Sequence, residues 1–182
     1  MSGIYIHIPF CKQACHYCDF HFSTNLKKKD EMVLALAKEI EMRKSEFQDE
    51  IVETIYFGGG TPSILQIADL KFLIDAVYKN YKVVENPEIT VEANPDDLTE
   101  NRIIELSNNK VNRLSIGIQS FFEDDLQLMN RAHNVEEAKK CLEIATHYFD
   151  NISIDLIYGV PEMSNEKWLQ NIETALSFGV PH

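Results

Sequence analysis

Short apolar runs alternate with amphipathic stripes along the whole chain. β-Branched and aromatic runs predict strands at 3–9, 52–57, 88–93, 113–119 and 151–159. Apolar residues at helical spacing predict helices at 67–78, 99–107, 135–148 and 164–178, and Asp30 is a candidate N-cap for one more, with apolar positions from Met32 to Phe47. Strict alternation of strand and helix predicts an α/β fold with one parallel sheet.

Polar residues and glycines recur where each predicted strand ends. They include Cys11, the run 58–61, Glu92 with Asn94, Gln119 and Asp155. A β/α barrel gathers all its strand ends in one mouth, whereas an open doubly wound sheet binds ligands at one switch point, so the pattern favours a barrel. A complete eightfold barrel takes about 250 residues. We therefore expect a partial (β/α) barrel of about five units that stops before a sixth strand, with residues 1–182 as a single domain from the N-terminal part of a longer protein.

The negative net charge of the chain bears on which partners it can bind. The formal net charge is −12, and the longest basic run, Lys27-Lys28-Lys29, precedes an acidic helix start. Sequence-independent binding to nucleic acid requires clustered Lys and Arg residues, so we expect no nucleic-acid partner. No apolar run is long enough to cross a bilayer, so we expect no membrane insertion. Thiols without a secretory signal favour a reducing, cytoplasmic location.

Three cysteines near the start carry the most specific chemical signal. Cys11, Cys15 and Cys18 follow a strand-like run with the spacing Cys-x3-Cys-x2-Cys. Three thiolates within eight residues can hold three corners of an iron–sulfur centre and leave one coordination position open for chemistry. The alternative is a structural zinc site with a histidine as fourth ligand. However, structural zinc sites usually combine two short cysteine motifs that are separated in sequence, and this chain has one. An odd cysteine count in the cluster disfavours disulfides.

The other candidate site residues each have a structural alternative. The run Gly58-Gly59-Gly60-Thr61-Pro62 allows close backbone approach to a ligand, or it is only a tight turn. Carboxylates or amides in apolar strands, at Glu92, Gln119 and Asp155, either face an interior ligand or lie on the surface. Arg131 either clamps a carboxylate or caps a helix end.

Two further residues have mainly structural interpretations. Cys141 lies on a helical apolar stripe, which predicts a buried structural thiol. His133 is explained equally well as a surface histidine or as a ligand.

Together these motifs resemble the radical S-adenosylmethionine (SAM) superfamily, and more closely its oxygen-independent coproporphyrinogen III oxidase-like group. The resemblance covers essentially the whole chain. The motifs that carry it, in order, are Tyr-Ile-His-Ile-Pro-Phe-Cys, the cysteine loop, Tyr-Phe-Gly-Gly-Gly-Thr-Pro-Ser, Glu-Ala-Asn-Pro, Arg-Leu-Ser-Ile-Gly-Ile-Gln-Ser-Phe, Asn-Arg-Ala-His and Ile-Asp-Leu-Ile-Tyr-Gly-Val-Pro.

The resemblance implies a role for each candidate. Cys11, Cys15 and Cys18 would ligate three irons of a 4Fe–4S cluster, and SAM would chelate the fourth. Tyr17 would lie beside the adenine of SAM, and Tyr5 would lie close to the cofactor. The residues near the methionine moiety would be Gly59, Gly60 and Thr61. The polar groups of SAM would be held by Glu92, Gln119, Arg131 and Asp155. The implied chemistry is reductive cleavage of SAM to a 5′-deoxyadenosyl radical, with an electron from a donor such as flavodoxin or ferredoxin.

One position separates two branches of the group. The true dehydrogenases, which oxidatively decarboxylate coproporphyrinogen III to protoporphyrinogen IX, carry a fourth cysteine two residues after the third, where this chain has Phe20. That departure resembles the HemW-type branch of haem-binding chaperones, so this branch is expected and the dehydrogenase is the alternative. The tetrapyrrole partner, haem or coproporphyrinogen III, would bind a C-terminal region absent from this chain.

Overall fold

Five parallel strands form one sheet in the computed structural model, which describes residues 2–47 and 50–182. The strands are β1 (Ser2–Ile8), β2 (Val52–Gly59), β3 (Val83–Ala93), β4 (Arg113–Gln119) and β5 (Ile152–Leu156). The helices are α1 (Lys29–Met42), α2 (Ile67–Asn80), α3 (Glu100–Ser107), α4 (Glu123–Leu128), α5 (Val135–Tyr148) and α6 (Asn165–Ser177). Among the described residues, no helix is long and apolar enough to cross a membrane.

The strand order distinguishes the two architectures. The order is β1-β2-β3-β4-β5, so each strand lies beside the strand before it in the chain. A doubly wound sheet reverses its order at a switch point, whereas sequential order is that of a β/α barrel. The predicted partial barrel is thus confirmed. Beyond β5, the backbone N–H of Ile154 donates to the carbonyl of His182 at 3.0 Å, so the last residue lies alongside this strand.

The two faces of the sheet have opposite character because side chains alternate along a strand. One face is fully apolar and packs against helices α1, α2, α3 and α5; its central residues include Ile55, Phe57, Val91, Leu114 and Ile116. The other face carries Tyr5, Tyr56, Thr90, Glu92 and Ser115, which lie on the same side of neighbouring strands in the paired register. The polar side chains of the sheet therefore lie on the concave face, which a barrel encloses, and not in the apolar core.

Helix starts follow from local capping chemistry. The side chains of Thr99, Asn134 and Ser164 accept hydrogen bonds from backbone N–H groups in the first turns of α3, α5 and α6. At α5, Glu137 completes a capping box with Asn134. Because such caps satisfy otherwise unpaired N–H groups, they fix these helix starts at the positions expected from the sequence.

Several elements differ from the sequence prediction. Helix α1 is preceded by Lys28 rather than capped by Asp30, which lies in its first turn, and Phe47 falls in a separate 3₁₀ turn after the helix. Strand β3 begins at Val83, ahead of a proline and a shift of register against β2. Strand β5 ends at Leu156, three residues early. Helix α4 was not predicted, because six residues are too few to show a helical stripe.

We predict that the core against α2 dominates stability. Leu73 on α2 is 0% exposed, and Leu34 on the neighbouring α1 is 64% exposed. Replacing Leu73 by Ala should lower the free energy of unfolding by about 2–5 kcal/mol, since it removes buried methyl groups and leaves a cavity. Leu34→Ala, the matched control, should change it by less than about 0.5 kcal/mol. Urea unfolding measures both, and equal losses would contradict the assignment of the core.

Candidate functional site

A cavity of about 320 Å³ opens at the carboxyl ends of the strands. Every residue to which the family resemblance assigns a role lines it, except Tyr5. Its lining comprises Cys11, Gln13, Cys15, Tyr17, Cys18, Phe20, Phe22, Gly59, Gly60, Thr61, Glu92, Ala93, Asn94, Ser115, Gly117, Gln119, Arg131 and Asp155. The sheet thus brings residues that are more than a hundred positions apart in sequence to one wall.

The cysteine loop is held against the end of β1 by backbone hydrogen bonds. The N–H of Cys11 donates to the carbonyl of Ser23 at 3.1 Å, and the N–H of Ser23 donates to the carbonyl of Pro9 at 2.9 Å. Within the loop, the N–H of Cys18 donates to the carbonyl of Cys15 at 3.2 Å. All three cysteines are free thiols and half-buried, so their sulfurs are anchored yet accessible from the cavity.

The turn after α4 fastens the far side of the loop. Asn130 accepts from the side chain of Gln13 at 3.0 Å and donates to the carbonyl of Ala14 at 2.8 Å. The ring nitrogen Nδ1 of His16 lies 3.0 Å from the carbonyl of Leu128, so this histidine bonds to backbone. These contacts give the Asn-Arg-Ala-His motif a structural meaning: its first residue holds the cysteine loop in place.

Arg131 joins the loop to the sheet. One terminal nitrogen, Nη1, donates to Cys15 Sγ at 3.4 Å and to the hydroxyl of Tyr17 at 3.0 Å. The other, Nη2, donates to Asn94 Oδ1 at 2.8 Å and to the carbonyl of Gly117 at 2.7 Å. Its Nε is buried and has no hydrogen-bond partner among the described residues. The guanidinium therefore links the cysteine loop to the ends of β3 and β4 through its two terminal nitrogens.

A second chain of hydrogen bonds reaches Cys11. The hydroxyl of Thr61 donates to Cys11 Sγ at 3.4 Å and accepts from Asn94 Nδ2 at 3.3 Å. Burial raises the pKa of the Cys11 thiol, and the hydrogen bond from Thr61 opposes that rise because it stabilises the thiolate. The first cysteine thus lies in a half-buried position with a donor directed at its sulfur.

The glycine run permits a close approach between two loops. A Cβ on Gly60 would lie 2.7 Å from the carbonyl oxygen of Phe10 and 3.0 Å from Cys11 Sγ. At Gly59 the backbone has φ of +115°, a conformation that favours glycine. The sequence alone leaves two interpretations of this run, close approach to a ligand or a tight turn. The structure shows that Gly60 leaves space for the backbone of Phe10 and for Cys11 Sγ.

Glu92 is held in place by strand β2. Its carboxylate accepts from the Tyr56 hydroxyl at 2.8 Å and from the backbone N–H of Gly59 at 3.0 Å. Burial and the Glu92 hydrogen bond raise the pKa of Tyr56 to about 12. Tyr5 stacks on Tyr56 with ring centroids 5.8 Å apart, and its own hydroxyl lies 3.2 Å from His7. Tyr5 is therefore on the same concave face but beyond the cavity lining.

Gln119 and Asp155 close the remaining side. Gln119 is buried with φ of +70°, and its carbonyl accepts from the N–H of Ile157. Its amide nitrogen lies so close to Gly117 that a Cβ there would come within 2.8 Å of it. Asp155 lies at the outer, exposed edge of β5, where partial burial of the carboxyl raises its pKa and Arg113 and Arg131 oppose the rise.

His133 and Cys141 are both buried, at 3% and 2% exposure. The interpretation of His133 as a surface histidine is therefore wrong. Its Nε2 donates to the carbonyl of Ile118 at 3.1 Å, and its Nδ1 is buried without a partner among the described residues. Burial raises the pKa of Cys141 to about 12, which agrees with an inert structural thiol.

The arrangement of ligating side chains bears on the zinc alternative. Within residues 2–47 and 50–182, no three His, Cys, Asp or Glu side chains are placed to hold one metal ion. His16 bonds to backbone and His7 pairs with Tyr5, so neither is directed at the thiols.

Several residues that line the cavity have no role predicted from the sequence. Ser115 and Gly117 alternate with the apolar residues Leu114, Ile116 and Ile118 of β4, and this period of two could have placed them on the concave face. Asn94 was noted as a strand-end residue without a role. Gln13 gave no signal, because its place depends on how the loop folds back onto the turn at Asn130.

A family model described as the radical SAM superfamily matches residues 5–181. A relative named heme chaperone HemW from Escherichia coli (strain K12) is 37% identical over 184 residues, which is 99% of this chain and 48% of the relative. A relative of the same name from Bacillus subtilis (strain 168) is 38% identical over 185 residues, covering 100% of this chain and 49% of the relative. The chain thus spans about half the length of these relatives.

One solved structure is similar to this chain in both fold and sequence. It is described as coproporphyrinogen III oxidase (HemN) from Escherichia coli, a radical SAM enzyme, and it matches with a TM-score of 0.88 and 29% identity. The match covers 98% of this chain and 42% of that chain. The fold of this chain is therefore shared with a known radical SAM enzyme.

We predict that His133 makes stability fall in mild acid. Burial, and then Arg131, lower its pKa from 6.5 to about 4, with Asp96 and Glu123 opposing. Between these values the unfolded chain binds the proton more readily than the folded one. The free energy of unfolding should therefore decrease as pH falls below 6.5, by at most about 1.4 kcal/mol per pH unit from this group.

Urea unfolding at several pH values tests this. His133→Gln keeps a donor for Ile118 and cannot titrate, so its stability should depend less on pH than that of the wild type. His147→Gln, which alters an exposed histidine on α5, is the control and should keep the wild-type slope. Identical slopes for all three proteins would contradict the assignment.

Proposed function

The chain belongs to the radical SAM superfamily, and from that premise we propose that its strand-end cavity holds a 4Fe–4S cluster and SAM. Membership of the superfamily implies both cofactors. The observation that carries the proposal is the convergence of three free, half-buried thiols and a set of polar strand-end residues on one cavity. An iron–sulfur cluster held by three cysteines keeps one iron open to a further ligand.

The residues present fit a cluster held by Cys11, Cys15 and Cys18. The loop that carries them is anchored at both ends, and Gly60 leaves the space that the first cysteine needs. Thr61 and Arg131 donate to two of the sulfurs, which suits thiolates bound to iron. When bound, the cluster supplies the electron that cleaves SAM reductively.

The cavity also fits SAM. Its methionine moiety carries an amino and a carboxylate group, and the wall offers complementary charges in Arg131, Glu92 and Asp155. The guanidinium of Arg131 carries the positive charge that complements a carboxylate. We assign Gly59, Gly60 and Thr61 to the methionine side, Gln119 to a polar group of SAM and Tyr17 to the adenine. Tyr5 acts through its stack on Tyr56, which holds Glu92.

For the whole protein we propose a role in haem metabolism as a HemW-type haem chaperone. The support is the 37% and 38% identity to two proteins named heme chaperone HemW, together with Phe20 at the position where a fourth cysteine is expected in the dehydrogenases. Phe20 is 74% exposed and lines the cavity beside the cysteine loop. In this proposal residues 1–182 are the cofactor-binding core, and haem is bound by sequence outside it.

A second candidate is an oxygen-independent coproporphyrinogen III dehydrogenase. It is favoured by the TM-score of 0.88 to the structure described as coproporphyrinogen III oxidase. Both candidates need a tetrapyrrole partner and a low-potential electron donor of the flavodoxin or ferredoxin class. They differ in what happens to the tetrapyrrole, which is carried in one case and oxidatively decarboxylated in the other.

We predict that cluster assembly depends on Cys15 and not on Cys141. After anaerobic reconstitution, Cys15→Ala should lose iron and sulfide to background, because it removes a proposed ligand. Cys141→Ala, the matched control, should keep wild-type content, because that thiol is buried in the core on α5. Iron and sulfide analysis measures both, and equal losses in the two variants would overturn the ligand assignment.

We predict that the full-length protein binds haem and does not oxidise coproporphyrinogen III. Titration of the full-length protein with haem, followed by absorbance of the haem, should saturate at a defined stoichiometry. Incubation with coproporphyrinogen III, SAM and a low-potential reductant should yield no protoporphyrinogen IX. Formation of that product without saturable haem binding would instead establish the dehydrogenase.

A further inference from the structure

We infer that Asn94 is a positioning residue that raises the reduction potential of the bound cluster by orienting the side chains of Thr61 and Arg131, which donate hydrogen bonds to two of its cysteine sulfurs. The inference rests on the proposed function, because it needs a cluster on Cys11 and Cys15. Asn94 lies immediately after β3, is half-buried and lines the cavity. It touches neither sulfur itself and acts through Thr61 on one side and Arg131 on the other.

The direction of each hydrogen bond follows from the chemistry of the partners. A guanidinium only donates, so the atom of Asn94 that lies 2.8 Å from Arg131 Nη2 is the carbonyl oxygen. The amide nitrogen therefore faces Thr61 Oγ1 at 3.3 Å and donates to it. Since the Thr61 hydroxyl accepts that bond, its own hydrogen is left to donate to Cys11 Sγ at 3.4 Å.

The other arm reaches the second cysteine through the guanidinium. Arg131 Nη2 is fixed by Asn94 Oδ1 and by the carbonyl of Gly117, and this pair of acceptors orients the plane of the group. In that orientation Nη1 lies 3.4 Å from Cys15 Sγ. One asparagine thus sets the geometry of a donor to each of two sulfurs, on opposite sides of the cysteine loop.

Hydrogen bonds to cysteine sulfur are among the factors that set the potential of an iron–sulfur cluster. Reduction adds negative charge to the cluster and its sulfurs, so a donor stabilises the reduced form more than the oxidised form and raises the potential. Chains of hydrogen bonds also polarise one another, so the bond from Asn94 strengthens the one that Thr61 makes. The amide side chain of Asn94 offers both the donor and the acceptor that this link requires.

An EPR-monitored redox titration of the reconstituted protein tests the inference. Asn94→Ala should lower the potential, with an equilibrium shift towards the oxidised cluster of up to about tenfold, which is about 59 mV for one electron. Thr61→Val, which removes the donor to Cys11, should lower it as well, and Thr61→Ser should restore the wild-type value. In the double variant Asn94→Ala with Thr61→Val, the shift should be smaller than the sum of the two single shifts.

Asn80→Ala is the control, because the Asn80 amide bonds only to the backbone of α2 and should leave the potential unchanged. Wild-type potential in Asn94→Ala with full iron content would overturn the inference. If Asn94→Ala fails to assemble a cluster, the comparison of Thr61→Val with Thr61→Ser tests the inference. Equal reduction potentials in these two variants would overturn the inference. A wild-type protein that assembles no cluster would instead refute the proposed function, so the two failures are distinguishable.

Discussion

Four hydrogen bonds from the guanidinium of Arg131 tie together parts of the chain that are distant in sequence. They end on Cys15 and Tyr17 in the cysteine loop, on Asn94 after β3 and on Gly117 in β4. A loop that carries three metal ligands must hold their sulfurs in a defined geometry, so the arginine that orients it is central to the site.

The parallel sheet supplies the second constraint. Because every strand runs in the same direction, the carboxyl ends meet at one edge, and the polar residues that follow them share one cavity. The apolar face is covered by helices, so charged groups such as Glu92 and Asp155 are directed to the concave face. The carboxylate of Glu92 is compensated there by hydrogen bonds from Tyr56 and Gly59. Fold and site thus follow from the same alternation of side chains.

Much of this arrangement could be predicted from the sequence. The strand and helix periodicities specify the fold class, and the cysteine spacing with the strand-end residues specifies where the site lies. The contacts between motifs could not be predicted, because they depend on loop positions that periodicity does not encode. Asn94 shows no sequence sign of bridging Thr61 and Arg131, and His133 is buried only because the turn before α5 packs beneath β4. Helix α4 is too short for its pattern to be recognised.

The central claim is that the cavity holds a cluster with one iron open to SAM. Electron paramagnetic resonance of the anaerobically reconstituted, reduced protein, recorded with and without SAM, tests it most directly. The account predicts a reduced iron–sulfur signal whose g values shift when SAM is added, because SAM would bind the iron that no cysteine holds. A protein that binds stoichiometric zinc and shows no iron–sulfur signal, or a cluster signal that SAM leaves unchanged, would contradict it.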